Sequence, residues 1–206
     1  MMRFRSVLFA FVLPFIGGPL SSGTPVFSSL PWFSSVPLAA QQLNLVANVP
    51  VRSPTGAGTR NLTFGTVTPI VGTTQLVNVA AAALQSGEFR FDLTSLRGLE
   101  FSLTLPTVLT GPAGSSLAVS FAGTQYGEYC VSSGGAPCTA TAFDPAAAAA
   151  IRICAQTLGS GNCHPNRVYA AGSDVAINVG GSLSVPPTAR AGVYTATITL
   201  NIVQVY

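Results

Sequence analysis

Four cysteines lie close together in the chain and are the residues best suited to form covalent bonds or to hold a metal ion. An even number of cysteines in an exported chain favours two disulfides, and four cysteines allow three different pairings. We favour pairing neighbours in sequence, because each such pair flanks a short turn that contains Gly. Seven residues separate the first two cysteines, unlike the short spacing of zinc ligands, so no metal site is expected. The expected disulfides are Cys130–Cys138 and Cys154–Cys163.

One histidine and six acids are the remaining candidates for catalysis. His164 lies in a Cys-His-Pro turn, and the chain has no Gly-x-Ser-x-Gly motif that would supply a nucleophile for it. Asp92 and Glu100 fall on outward positions of predicted strands, where solvated surface charge is expected. Glycoside cleavage would need a carboxyl group in an apolar pocket, and the sequence singles out none. The sequence therefore predicts no enzyme, no catalytic residue and no cofactor.

The composition narrows the class of protein and its partners. Only 7% of the 206 residues are charged, whereas about 25% is usual for a soluble domain. The hydrophobic fraction is 48%, which indicates a buried core and argues against a disordered chain. The net charge is +3 and no basic cluster occurs beyond the N-terminus, so we expect no nucleic-acid partner.

Residues 1–40 have the pattern of an export signal. Two arginines precede the apolar run Val7–Ile16, and the small residues Ala39 and Ala40 precede Gln41. We expect cleavage near Ala40; an uncleaved N-terminal segment is the alternative. The apolar run is too short and is followed too closely by Gly and Pro to span a bilayer, so no stable membrane span is expected after cleavage.

The sequence of residues 41–206 predicts a single β-sandwich domain. Short apolar segments recur at intervals of about eight to twelve residues, separated by Gly, Pro, Ser and Asn, which is typical of an antiparallel sandwich. Gly65 inside one of them indicates a bulge or a close backbone approach. A shift of the alternation after Ile202 predicts a second bulge or a change of sheet. The segments with the clearest period-two alternation are Leu43–Val51, Phe89–Leu93, Leu99–Leu105 and Tyr194–Ile202.

The segment 124–166 differs from the rest of the chain. Asp144 and Pro145 precede a run of alanines, which is typical of a helix start, and we expect one short helix at Pro145–Ile153. That helix and both cysteine loops would form an insertion between two strands. The predicted fold is therefore an all-β, immunoglobulin-like antiparallel β-sandwich with one short helix in a disulfide-bearing insertion.

Four parts of the chain carry a resemblance to a known bacterial family. They are Asn61–Val67 (NLTFGTV), Phe89–Pro106, Val179–Val185 (VGGSLSV) and Ala191–Ile198 (AGVYTATI). Together they resemble the bacterial domain of unknown function 4402, which is similar to the spore coat protein U domain and to subunits of archaic chaperone-usher pili. The resemblance implies an exported, immunoglobulin-like sandwich and offers no catalytic residues to transfer. The cysteine-bearing segment departs from the family pattern.

The resemblance predicts a structural subunit that is secreted, or held in the periplasm or at the cell surface of a bacterium. Its partners would be copies of itself or related subunits, with a periplasmic chaperone and an usher. Assembly would proceed by strand addition, in which alternate side chains of an extended segment fill pockets of the acceptor. An ordinary first strand in a self-complete sandwich is an equally good interpretation of the donor segment. The donor candidates are Leu43, Leu45, Ala47, Val49 and Val51.

A second hypothesis is a secreted adhesin or carbohydrate-binding module that uses the segment 123–166. Loops on a rigid scaffold often carry recognition. Tyr126, Tyr129 and Phe143 lie in or near this segment and could form an aromatic rim.

Overall fold

The alternating segments of the sequence form two β-sheets that pack face to face as a sandwich. The computed structural model describes residues 38–48, 58–133, 138–147 and 149–206, and in this part of the chain one sheet has nine strands and the other five. The larger sheet contains β1 (Leu38–Asn48), β3 (Leu62–Val67), β4 (Gln75–Val79), β6 (Gly98–Thr104), β7 (Val108–Thr110), β8 (Ser116–Ser120), β11 (Ile151–Cys154), β13 (Gly181–Val185) and β14 (Tyr194–Val205). The smaller sheet contains β2 (Gly58–Arg60), β5 (Gly87–Asp92), β9 (Gly127–Ser132), β10 (Thr141–Phe143) and β12 (Asp174–Val179).

The order of the strands determines which elements lie at the edges. The larger sheet runs β11-β6-β14-β7-β8-β13-β4, with β1 joined to β14 and β3 joined to β1. The smaller sheet runs β10-β9-β12-β5-β2. Among the described strand pairs, only β1 with β14 is parallel. The predicted antiparallel β-sandwich is thus confirmed.

The core forms between the inner faces of the two sheets. In β5, Phe89 and Phe91 are fully buried while Arg90 between them is exposed, as a period-two strand requires. In β6, Leu99 and Phe101 are fully buried in the same way. Because β5 belongs to the smaller sheet and β6 to the larger, these two segments face each other across the core instead of pairing side by side.

The long strand β14 is the centre of the larger sheet. It pairs with β1 along one edge and with β6 and β7 along the other. Ile198 and Leu200 are fully buried, and the register with β6 shifts between Ile202 and Gln204. The shifted alternation at the end of the strand therefore marks a bulge, as predicted.

The predicted helix at Pro145–Ile153 is wrong. The Asp144 carboxylate accepts a hydrogen bond from the Ala146 N–H at 3.0 Å, and this turn is not continued as a helix. Ile151 and Ile153 instead lie in β11, which pairs with β6. Isoleucines two residues apart share one face of a strand but not of a helix, so burial against the core outweighs the helix propensity of the alanines.

Two short 3₁₀ turns, Pro112–Gly114 and Thr124–Tyr126, are the helical elements in the described residues. Among those same residues, no helix has the length and apolar character needed to cross a membrane.

The segment predicted as an insertion contributes three strands to the sandwich. β9 lies between β10 and β12 in the smaller sheet, and its pairing with β12 extends from Gly127 opposite Val179 to Ser132 opposite Asp174. β11 forms an outer strand of the larger sheet. The segment 124–166 is therefore part of the framework and reaches both sheets.

Candidate functional site

A groove of 380 Å³ lies where outer strands of the two sheets approach each other, between β11 on one side and β9 and β10 on the other. Phe101 of β6 and Phe143 of β10 pack edge to face beside it, with ring centroids 5.9 Å apart. The apolar residues Val131 and Ile153 form part of the lining. No carboxylate is among the described residues that line it. Its polar lining consists of Tyr129, Thr139, Thr141, Arg152, Thr157 and Tyr169.

The two tyrosines of the groove come from different elements. The Tyr129 ring, on β9, packs against Phe143 with centroids 6.4 Å apart. The backbone of Tyr169 is held by hydrogen bonds to Leu96 and Ser95, at 2.8 and 3.1 Å. Burial, with a smaller contribution from Tyr129, raises the pKa of Tyr169 to about 12. Within the described residues, neither phenol hydroxyl has a hydrogen-bond partner in the protein.

Arg152 is fixed at the groove by a network of polar contacts. Its Nη2 lies 2.8 Å from Glu100 Oε2, and the Tyr206 hydroxyl donates to the same oxygen at 2.8 Å. Hydrogen bonds from Tyr206 and Arg152 hold the pKa of Glu100 below its ordinary value. Arg152 Nη1 also donates to Asn162 Oδ1 at 2.8 Å and to the Gly161 carbonyl at 3.3 Å. The guanidinium charge is therefore compensated, and the side chain connects β11 to β6 and to the following loop.

Both disulfides lie at the elements that build the groove. Cys130 of β9 is joined to Cys138, with Cα atoms 5.7 Å apart, and Cys154 of β11 is joined to Cys163, with Cα atoms 5.2 Å apart. These are the pairs that the sequence favoured. No free cysteine occurs in the described part of the chain. Each disulfide anchors a loop to a strand that lines the groove.

Gly98 of β6 is needed for the close approach of the second disulfide. A Cβ atom at this position would lie 2.6 Å from Cys163 Sγ and in even closer contact with the Ile153 carbonyl oxygen. The junction of β6, β11 and the disulfide therefore has no room for a side chain.

The predicted candidates His164, Asp92 and Tyr126 are not among the residues that line the groove. His164 Nδ1 accepts a hydrogen bond from the Asn166 N–H at 3.2 Å within its own turn. Asp92 Oδ1 accepts a hydrogen bond from the Thr94 N–H at 2.7 Å, and the Thr94 side chain together with this N–H lowers the pKa of Asp92. Tyr126 is buried and donates to Asn78 Oδ1 at 3.0 Å.

Four outcomes differ from the sequence expectations. Of the three residues of the predicted aromatic rim, Tyr129 lines the groove and Phe143 packs against the Tyr129 ring. Tyr126 is not part of the lining. Glu100 is not a solvated surface charge, because it lies in the ion pair with Arg152. Arg152 itself was hidden by the helix prediction, although its place between two isoleucines is a strand signal. Tyr169 follows a loop without periodicity, and no local signal marks it.

No group of three or more His, Cys, Asp or Glu residues that could hold a metal ion occurs among the described residues. All four cysteines are bound in disulfides, which makes them unavailable as thiolate ligands.

A second region with functional potential is the space between β3 and β14, which we call the β1 slot because β1 occupies it. β1 runs parallel to β14 in one register from Gln41 opposite Tyr194 to Asn48 opposite Asn201. Along its other edge it pairs antiparallel with β3. Cleavage after Ala40 would make Gln41 the new N-terminal residue. Gln41 is also the first residue of the register with β14.

Three donor candidates fall within this register. Leu43, Leu45 and Ala47 stand opposite Ala196, Ile198 and Leu200. The β14 partners of the last two are fully buried. The other two candidates, Val49 and Val51, lie outside the described residues.

The predicted irregularity at Gly65 is found where β3 pairs with β1. The register shifts between Gln41, opposite Gly65, and Gln42, opposite Thr63, so β3 carries one extra residue. Gly65 has φ +72°, a conformation that residues with a Cβ atom rarely adopt. The bulge bends β3 beside the β1 slot.

Neither protein-family models nor curated proteins give a match to this chain.

Proposed function

We propose that this protein is an exported structural subunit of a bacterial surface assembly, without catalytic activity, and that it joins copies of itself or related subunits by strand addition. A periplasmic chaperone and an outer-membrane usher would be its assembly partners. The resemblance of four segments to the domain of unknown function 4402 supports this proposal.

The observation that carries the proposal is the position of β1. Cleavage of the expected export signal near Ala40 would leave this segment joined to the rest of the chain only at its C-terminal end, and it pairs along both edges, with β14 and with β3. Removing it would expose the backbone hydrogen-bonding groups of two neighbouring strands. The same segment from a second molecule has the sequence needed to fill the slot, which is the geometry of strand exchange.

Two disulfides fit an oxidising compartment such as the extracellular space or the periplasm. Strand addition between subunits needs both partners in the same compartment. Among the oxidising compartments, we propose the cell surface as the place of assembly.

The proposal is tested with a variant of the exported protein that lacks residues 41–51. We expect this variant to bind a synthetic peptide of residues 41–51, because the peptide restores the ladders to β14 and β3. A peptide carrying Leu45→Asn is the matched control and should bind far more weakly, since position 45 stands opposite the buried Ile198.

A second experiment uses the intact protein. We expect it to form multimers that survive detergent without heating and that disappear in the deletion variant. A stable monomer whose folding is unchanged by the deletion, and which does not bind the peptide, would contradict the proposal.

The groove favours a second candidate function, an adhesin or carbohydrate-binding module that uses the segment 123–166. Deleting this segment is not a usable test, because it supplies strands to both sheets. Point variants of the groove in a glycan-binding assay test this function instead.

A further inference from the structure

We propose that the groove between β9, β10 and β11 binds an uncharged glycan segment, and that the hydroxyls of Tyr129 and Tyr169 are its principal hydrogen-bonding groups. This inference rests on the second candidate function and goes beyond strand assembly. It assigns the ligand class and the residues of a site that is separate from the β1 slot.

The chemistry of the lining matches sugar hydroxyls. Tyr and Thr hydroxyls can each donate one hydrogen bond and accept others, as a sugar hydroxyl does. Three threonines and two tyrosines supply such groups around one groove. The threonines are Thr139, Thr141 and Thr157.

The hydroxyls of the two tyrosines are available to a ligand. Neither has a protein partner in the described residues, whereas the hydroxyls of Tyr126, Tyr194 and Tyr206 each form a hydrogen bond with the protein. Burial raises the pKa of Tyr169 still further above physiological pH, so its phenol is neutral and able to donate there. A phenol without a protein partner can exchange its hydrogen bond to water for one to a ligand.

The electrostatics favour a neutral ligand over an acidic one. Arg152 is the only charged residue among the described residues that line the groove, and Glu100 compensates its charge at 2.8 Å. A phosphate or uronate would have to compete with this ion pair. The guanidinium can instead act as a fixed wall of the site, since its contacts with Asn162 and Gly161 restrict its rotation.

The size and rigidity of the groove suit a short segment of a glycan chain. Its 380 Å³ lies near the lower end of the roughly 300–1,000 Å³ usual for small-molecule sites. Both disulfides and the Arg152 network fix the walls in advance, which reduces the entropy lost on binding. An extended peptide is the less favoured ligand, because Ile153 is 96% buried and offers little of an apolar pocket for peptide side chains.

The test uses the exported protein on an array of neutral hexose and N-acetylhexosamine oligosaccharides, uronic-acid oligosaccharides and extended peptides. The strongest ligand is then titrated against the double variant Tyr129→Phe/Tyr169→Phe. We expect a neutral oligosaccharide to bind, and the double variant to bind it about tenfold more weakly with unchanged thermal stability, because only two unpaired hydroxyls are removed. Tyr126→Phe is the matched control and should retain full affinity, because its hydroxyl contacts Asn78 away from the groove.

The outcomes separate this inference from the functions on which it stands. Neutral-glycan binding that the double variant retains would place the site elsewhere and overturn the inference, while leaving an adhesin function standing. Binding of uronic-acid oligosaccharides or peptides alone would overturn the ligand class. Binding of nothing on the array would overturn both the inference and the adhesin function. Strand addition is tested independently by the peptide of residues 41–51.

Discussion

The groove and the β1 slot are held together by different kinds of bond. At the groove, two disulfides and the contacts of Arg152 fix β9, β11 and their loops to one another. At the slot, β1 forms backbone ladders with β14 and β3. Covalent bonds keep a loop in place through local opening, whereas a strand held by backbone ladders can leave by breaking those ladders. We therefore propose that the groove is the rigid region and that β1 is the exchangeable strand.

The largest expected change in the free energy of unfolding tests the rigidity of the groove. Gly98→Ala should destabilise the protein by about 3 kcal/mol, because the new Cβ meets the Ile153 carbonyl and the Cys163 sulfur. Urea unfolding measures the change in the free energy of unfolding. Gly159→Ala is the control in the neighbouring loop, since its Cβ would meet no atom within 4 Å. Equal effects of the two substitutions would show that the junction of β6 and β11 is not tightly packed.

A slightly smaller effect is expected for the second disulfide. Cys154→Ser with Cys163→Ser should cost about 2.5 kcal/mol, the chain-entropy value for a loop that spans nine residues. Hydrogen exchange should become faster in β11 and remain unchanged in β1. Faster exchange in both strands would break the comparison, because it would mean that the two regions open together.

The smallest expected effect comes from the ion pair beside the groove. Glu100→Gln should lower the free energy of unfolding at neutral pH by about 1 kcal/mol, because the charge-assisted bonds to Arg152 and Tyr206 weaken. The folded-state pKa of Glu100 lies below its ordinary value of 4.5, so the carboxylate contributes fully above pH 4.5 and loses its contribution as the pH falls through the folded value. Unfolding measured from pH 7 to pH 3 should therefore show the difference between the two proteins disappearing in acid. A difference that persists at the lowest pH would contradict this role.

The sequence predicted the strands wherever one face is buried and the other exposed. The alternation of Phe89 and Phe91 about Arg90 is a local signal, and it located β5 without knowledge of its partners. The same reasoning located the bulge of β14, since a shifted apolar pattern must change the register at Ile202. The cysteine pairing followed from loops short enough to be judged from spacing alone.

Long-range burial could not be predicted from local propensity. The alanines after Pro145 favour a helix, but the packing of Ile151 and Ile153 against β6 decides the conformation, and that contact joins residues about 50 positions apart. The groove could not be predicted either, because it also depends on contacts between distant parts of the chain. Tyr129 and Tyr169 are brought together only when strands and loops from distant parts of the chain have folded.

The most direct test of strand exchange is a crosslink between β1 and β14. Asn44 and Thr197 are register partners, Thr197 is exposed, and no free cysteine in the described residues would compete with a new pair. The double variant Asn44→Cys/Thr197→Cys is oxidised and run on a denaturing gel, boiled without reductant. Strand exchange predicts a ladder of covalent multimers that collapses to monomer on reduction. A single band of internally crosslinked monomer would contradict it and establish a self-complete sandwich.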